Sequence, residues 1–158
     1  MDNDGWLDIV SSGYGPGEGN LRIYWNNGDG TFSENQQYLY GSNDSSCSLC
    51  DLDADGYMDI VVTGFSSNKG SGAKSFYIYR NCGGRNFEML NDLFCGFEGV
   101  DGATPSFGDV NHDGLPDILI GGHGEKHEIT TWLYMNRGDF SFKACGAYYD
   151  CLLYTSDA

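Results

Sequence analysis

The chain has 158 residues, with 24 glycines, 11 tyrosines, 9 phenylalanines, 3 tryptophans and only 3 prolines. Its 8 basic and 23 acidic residues leave a net charge of −15, which disfavours nucleic acid and anionic membrane surfaces as partners because both need cations facing phosphate. No apolar run approaches the roughly 18 residues of a membrane helix, a 40% hydrophobic share argues against disorder, and the glycine-aromatic mixture suits short strands and tight turns rather than a helix bundle.

The chain opens Met1-Asp2-Asn3-Asp4-Gly5-Trp6-Leu7-Asp8-Ile9-Val10, without the basic stretch or apolar core of a secretory leader. The same phrase returns as Asp53-Ala54-Asp55-Gly56-Tyr57-Met58-Asp59-Ile60-Val61 and as Asn111-His112-Asp113-Gly114-Leu115-Pro116-Asp117-Ile118-Leu119. After each copy comes Tyr-x-Asn-x-Gly-x-x-x-Phe, at Tyr24/Asn26/Gly28/Phe32, Tyr79/Asn81/Gly83/Phe87 and Tyr134/Asn136/Gly138/Phe142, with a period of 55 residues. A period of this size marks repeated supersecondary units, each with a face it cannot bury alone.

Every unit reads as β structure. An apolar strand follows each Asp-Gly phrase, as at 59–63 and 117–120. A glycine-rich loop comes next, at 13–20, 64–73 and 121–128. A second strand (21–25, 76–80, 131–135) leads through an Asn-x-Gly turn into a strand carrying the repeated Phe. Residues 45–50 and 103–108 supply a preceding first strand in the second and third units. Four strands per unit is the arithmetic of a propeller blade.

The acidic phrases have the spacing of cation loops. In the second copy Asp51, Asp53, Asp55 and Asp59 stand at positions 1, 3, 5 and 9, the Tyr57 carbonyl at position 7 and Gly56 at position 6. Calcium takes six to eight hard oxygen ligands, and the glycine permits the reversal that converges them. The third copy offers Asp109, Asn111, Asp113, the Leu115 carbonyl and Asp117. The first offers Asp2, Asp4, the Trp6 carbonyl and Asp8, its position 1 falling ahead of Met1. The bland alternative is that aspartate simply favours tight loops, but three carboxylates within five residues repel one another without a cation. An EF-hand is ruled out: it needs a bidentate Glu at position 12, where Val62 and Ile120 stand here.

In these residues the chain resembles the FG-GAP / VCBS repeat family, whose signature Asp-x-Asp-x-Asp-Gly-x-x-Asp plus apolar strand is matched at 51–62, with Phe107-Gly108 echoing the family's name. The resemblance covers about residues 1–147. It implies an all-β fold, here a β-propeller fragment of about three four-stranded blades (seven- or eight-bladed when complete), with Ca2+ loops between the first and second strands of a blade. The units would be a partial blade at 1–44 lacking its first strand, and blades at 45–100 and 101–150. Met1 inside an ion loop suggests that the start is internal, and 151–158 reads as a translated sequencing adapter. The resemblance further implies an extracellular, cell-surface or periplasmic protein that is non-enzymatic and binds a glycan or protein ligand, its other partner being the remaining blades of the same chain. The alternative is the propeller of a polysaccharide-degrading enzyme.

Other signals are weaker. Cys47-x-x-Cys50 has no second pair to complete a zinc site; in an alternating strand the two thiols face opposite sides and read as core residues. His123-Gly-Glu-Lys-His127 has the wrong order for a zinc protease and too much glycine for a helix. Residues 70–75 lack the Gly-Lys pair of a phosphate loop. Arg137-Gly138-Asp139 occupies the turn that Asn27-Gly28-Asp29 fills in the first unit. Tyr14, Trp25 and Trp132 could stack on sugars if exposed, although blade aromatics more often pack between sheets.

Overall fold

The computed structural model describes residues 1–14, 20–66, 73–90, 99–124 and 129–146. These form β strands alone, in three four-stranded antiparallel sheets. The first contains β1 (Ile9–Gly13), β2 (Asn20–Asn26), β3 (Phe32–Glu34) and β4 (Leu39–Tyr40). Here β3 and β4 both pair with β2, on the edge away from β1. The second runs β5 (Asn43–Cys50), β6 (Asp59–Ser66), β7 (Ala73–Asn81), β8 (Phe87–Met89), and the third β9 (Ser106–Gly108), β10 (Asp117–His123), β11 (Ile129–Asn136), β12 (Phe142–Gly146). This is the arrangement of about three propeller blades, with the acidic loops 51–58 and 109–116 joining the first strand to the second.

Burial follows the two-residue period of the strands. One apolar cluster lies between the first two sheets: Leu21, Ile23, Trp25 and Leu39 meet Ile60, Val62, Tyr77, Tyr79 and Phe87. Another lies between the second and third, where Val61, Phe76 and Ile78 meet Ile118, Ile120 and Tyr134. The middle sheet is therefore covered on both faces, which is why Ile60-Val61-Val62 is an unbroken buried run. Cys47 packs on the first cluster and Cys50 on the second, on opposite faces as the alternation requires, though both are half-buried. Trp25 is a core residue rather than an exposed platform, stacked on Phe87 of the next sheet. Trp132 is half-buried against Tyr134, and Tyr14 is exposed.

Several strands depart from the expected bounds. β6 and β10 run through residues 64–66 and 121–123, which the glycines had marked as loop. The glycines serve close approach instead. A Cβ at Gly122 would lie 2.5 Å from the Asp101 carbonyl oxygen, where the backbones of Asp101 and His123 exchange hydrogen bonds. Gly64, at φ 146°, would put a Cβ 2.6 Å from the Asn43 carbonyl oxygen. β9 is shorter than residues 103–108, since Pro105 has no N–H to give a ladder. The short β4 was not foreseen. The 151–158 tail, His127 and residues 70–72 of the 70–75 stretch lie outside the described residues.

Candidate metal loops

Each acidic loop is a tight coil folded around its own carboxylates. In the second, Asp51 accepts from the Asp55 and Gly56 N–H groups at 3.0 and 2.9 Å, and Asp55 accepts from Tyr57 N–H at 2.8 Å. The third repeats this with Asp109 to the Asp113 and Gly114 N–H groups (3.0 and 2.9 Å) and Asp113 to Leu115 N–H (2.9 Å). In the first, Asp4 accepts from Trp6 N–H at 2.8 Å. Position 6 is left-handed in all three, with Gly5, Gly56 and Gly114 at φ near 90°. So is position 4, occupied by Asn3, Ala54 and His112 at φ of 63°, 59° and 61°, a requirement that three unrelated side chains concealed.

Position 9 is the buried anchor. Asp59 accepts from Leu52 N–H at 2.9 Å and from Asn81 N–H at 2.8 Å. Asp117 does the same with Val110 and Asn136 N–H (2.9 and 2.8 Å). Asp8 holds Asn26 N–H at 3.0 Å and the Met1 amino group at 2.9 Å. The last Asp of one phrase thus holds the Asn of the other. That Asn also accepts from its turn glycine, as in Asn81 from Gly83 N–H at 3.1 Å and Asn136 from Gly138 N–H at 3.0 Å. Its amide crosses to the preceding unit: Asn81 Nδ2 donates to the Met1 carbonyl at 3.0 Å, and Asn136 Nδ2 to the Leu52 carbonyl at 2.8 Å.

Carboxylate oxygens of Asp51, Asp53 and Asp59 lie within 4.8 Å of one another. Among the described residues this is the one such group of three; Asp55 stands outside it, and the acids of the first and third loops form no equivalent. Burial pushes Asp59 up to about 7, against the pull of its two backbone donors and helped by Asp53 and Asp55. A buried carboxylate with acidic neighbours and an all-oxygen donor set fits a hard divalent cation. Asp51, Asp53, Asp55, Asp59 and the Tyr57 carbonyl would hold it, and the bound ion would supply the positive charge that lets these oxygens converge.

Residues 1–62 and 51–120 each match the FG-GAP-like repeat. No curated protein and no solved structure matches the chain. The two matched stretches span most of the chain and overlap at the second loop, and the chain belongs to the FG-GAP-like repeat family.

Proposed function

We propose that this member of the FG-GAP-like repeat family is a calcium-binding β-propeller repeat region of a secreted or cell-surface protein, serving non-enzymatic binding of a glycan or protein ligand. The carrying observation is the convergence of Asp51, Asp53 and Asp59 in a loop between the first two strands of a blade. The residues proposed to take Ca2+ are those at positions 1, 3, 5 and 9 of the second and third loops and at positions 3, 5 and 9 of the first (Asp2, Asp4, Asp8), with the position-7 carbonyl of each. The described residues bring together no nucleophile with a base and an orienting group, and the loop carboxylates are used in folding. The ligand class rests on the family resemblance and on the acidic charge that disfavours polyanions.

Calcium titration with calorimetry and thermal melts tests the metal. Extracellular calcium modules bind at about 10⁻⁴–10⁻³ M, and at ten times the dissociation constant each site adds about 1.4 kcal/mol. Magnesium substitutes poorly, since it demands a tighter octahedron. Asp55→Ala removes the gain from the second loop, whereas Asp44→Asn, at an exposed acid in β5, leaves it. Equal loss in both variants would mean diffuse charge screening and would refute the loop assignment.

A further inference from the structure

At each junction between units, one arginine and one aromatic ring meet over the acidic loop. At the first, Arg85 sends Nε and Nη2 to Asp2 Oδ2, both at 2.8 Å, with Nη2 3.9 Å from Asp4. Its guanidinium lies 5.1 Å from the ring centre of Trp25. At the second, Arg80 Nη2 is 2.7 Å from Asp53 and 3.7 Å from Asp55, and its guanidinium lies 5.4 Å from the Phe140 ring. In both loops the cation touches position 3 closely and position 5 more loosely.

The chain supplies the pair from opposite sides. Trp25, Arg80 and Met135 follow the repeated Tyr directly, while Gly30, Arg85 and Phe140 stand six residues after it. At the first junction the earlier site of one unit gives the aromatic and the later site of the next gives the arginine. At the second junction the assignment is exchanged, yet the guanidinium reaches the same two loop positions. Recurrence of the contact from non-equivalent residues argues that the position of the charge, rather than either residue's backbone setting, is what the junction requires. In the third loop the earlier site is Met135. Among the described residues no arginine or lysine pairs with Asp109 or Asp113, and Asn111 Nδ2 donates to Asp113 Oδ2 at 2.8 Å instead.

We propose that Arg80 and Arg85 are built-in counter-ions that compete with a metal ion for positions 3 and 5, holding the second and first loops folded without the ion and weakening their affinity for it. The proposal rests on the calcium reading of these loops. An arginine is always charged and its planar fork suits a carboxylate. The aromatic face fixes it over the loop and adds attraction of its own. Divalent and guanidinium charges sharing the same carboxylates repel, so each lowers the other's occupancy.

The test is calcium calorimetry on Arg80→Gln in the full chain, in an Asp4→Ala/Asp113→Ala background that leaves the second loop as the competent site. The expected result is calcium binding about tenfold tighter, from the loss of one neighbouring like charge, together with a lower melting point in chelator. Arg80→Lys, which keeps the charge without the fork, falls between. Arg22→Gln removes an equal charge where Arg22 pairs with Glu34 at 2.6 Å, away from the loops, and leaves calcium affinity unchanged. Unchanged or weaker binding in Arg80→Gln, with calcium still taken up by the background protein, overturns the competition while leaving the metal reading standing. No uptake in the original chain overturns both. An equal tightening in Arg22→Gln overturns the local mechanism in favour of net charge.

Discussion

Replacing Asn136 by Ala probes the link between ion loop, hairpin turn and neighbouring unit. The side chain is 1% exposed. Its Nδ2 donates to the Leu52 and Pro116 carbonyls at 2.8 and 3.0 Å, and its Oδ1 accepts from Gly138 N–H at 3.0 Å. Truncation leaves three backbone groups without partners where water has little access, and at roughly 1–1.5 kcal/mol each the loss is about 3–4 kcal/mol. The internal control is Asn26, equivalent in the repeat but half-buried, its side chain bonding among the described residues only within its own unit, to the Leu7 carbonyl at 3.1 Å and Gly28 N–H at 3.0 Å. Water replaces much of that, so Asn26→Ala costs about 1 kcal/mol. For a chain of this length about 2–4 °C accompanies each kcal/mol, placing the Asn136→Ala midpoint about 5–10 °C below that of Asn26→Ala. Asn136→Asp is no milder than Ala, because it keeps the turn bond but sets a carboxylate oxygen against two carbonyls. Melts and urea titrations followed by circular dichroism, in chelator so that metal takes no part, supply the numbers. If Asn26→Ala and Asn136→Ala cost the same, the cross-unit bond contributes nothing and the link is broken as an explanation.

Two further outcomes follow from the contacts of Asp101. Lys74 in β7 is 1% exposed and pairs with Asp101 at 2.7 Å, so Asp101→Ala costs about 3–5 kcal/mol in urea unfolding; a Lys74→Met/Asp101→Leu double variant recovers most of this, and a double as unstable as the single would refute the pairing argument. Gly122→Ala forces a Cβ to 2.5 Å from the Asp101 carbonyl oxygen and destabilises by about 1–3 kcal/mol, whereas Gly13→Ala, with nothing within 4 Å of its Cβ, stays within about 0.5 kcal/mol of the parent.

Features belonging to a single unit were legible in the sequence. The spacing of Asp51, Asp53, Asp55 and Asp59 encodes a coil whose own N–H groups turn onto its carboxylates, and nine consecutive residues suffice to specify it. The strand read at 76–80 likewise stands within β7 (Ala73–Asn81), while its cover on both faces comes from the neighbouring sheets. The glycines misled, since a residue without a Cβ serves a turn and a close backbone approach equally well, and only the neighbour tells which. The left-handed position 4 was hidden because Asn3, Ala54 and His112 share a backbone conformation and no side-chain chemistry.

Features that cross a junction were illegible for a different reason. Comparing units column by column gives Asn26, Asn81 and Asn136 the same residue and no hint that two of them reach a carbonyl some 80 residues away. The same comparison scores Trp25/Arg80/Met135 and Gly30/Arg85/Phe140 as two unrelated variable columns. They become regular only when the first column of one unit is set beside the second column of the next: Trp25 with Arg85, then Arg80 with Phe140. A stacked repeat buries one unit's face against its neighbour's, so the physical pair is formed between units n and n+1 and selection can act on the pair while either member varies. In a chain built this way, apparent variability at a junction site is therefore no measure of its freedom, and exchanged pairs of cation and ring are the pattern by which such a contact can be found.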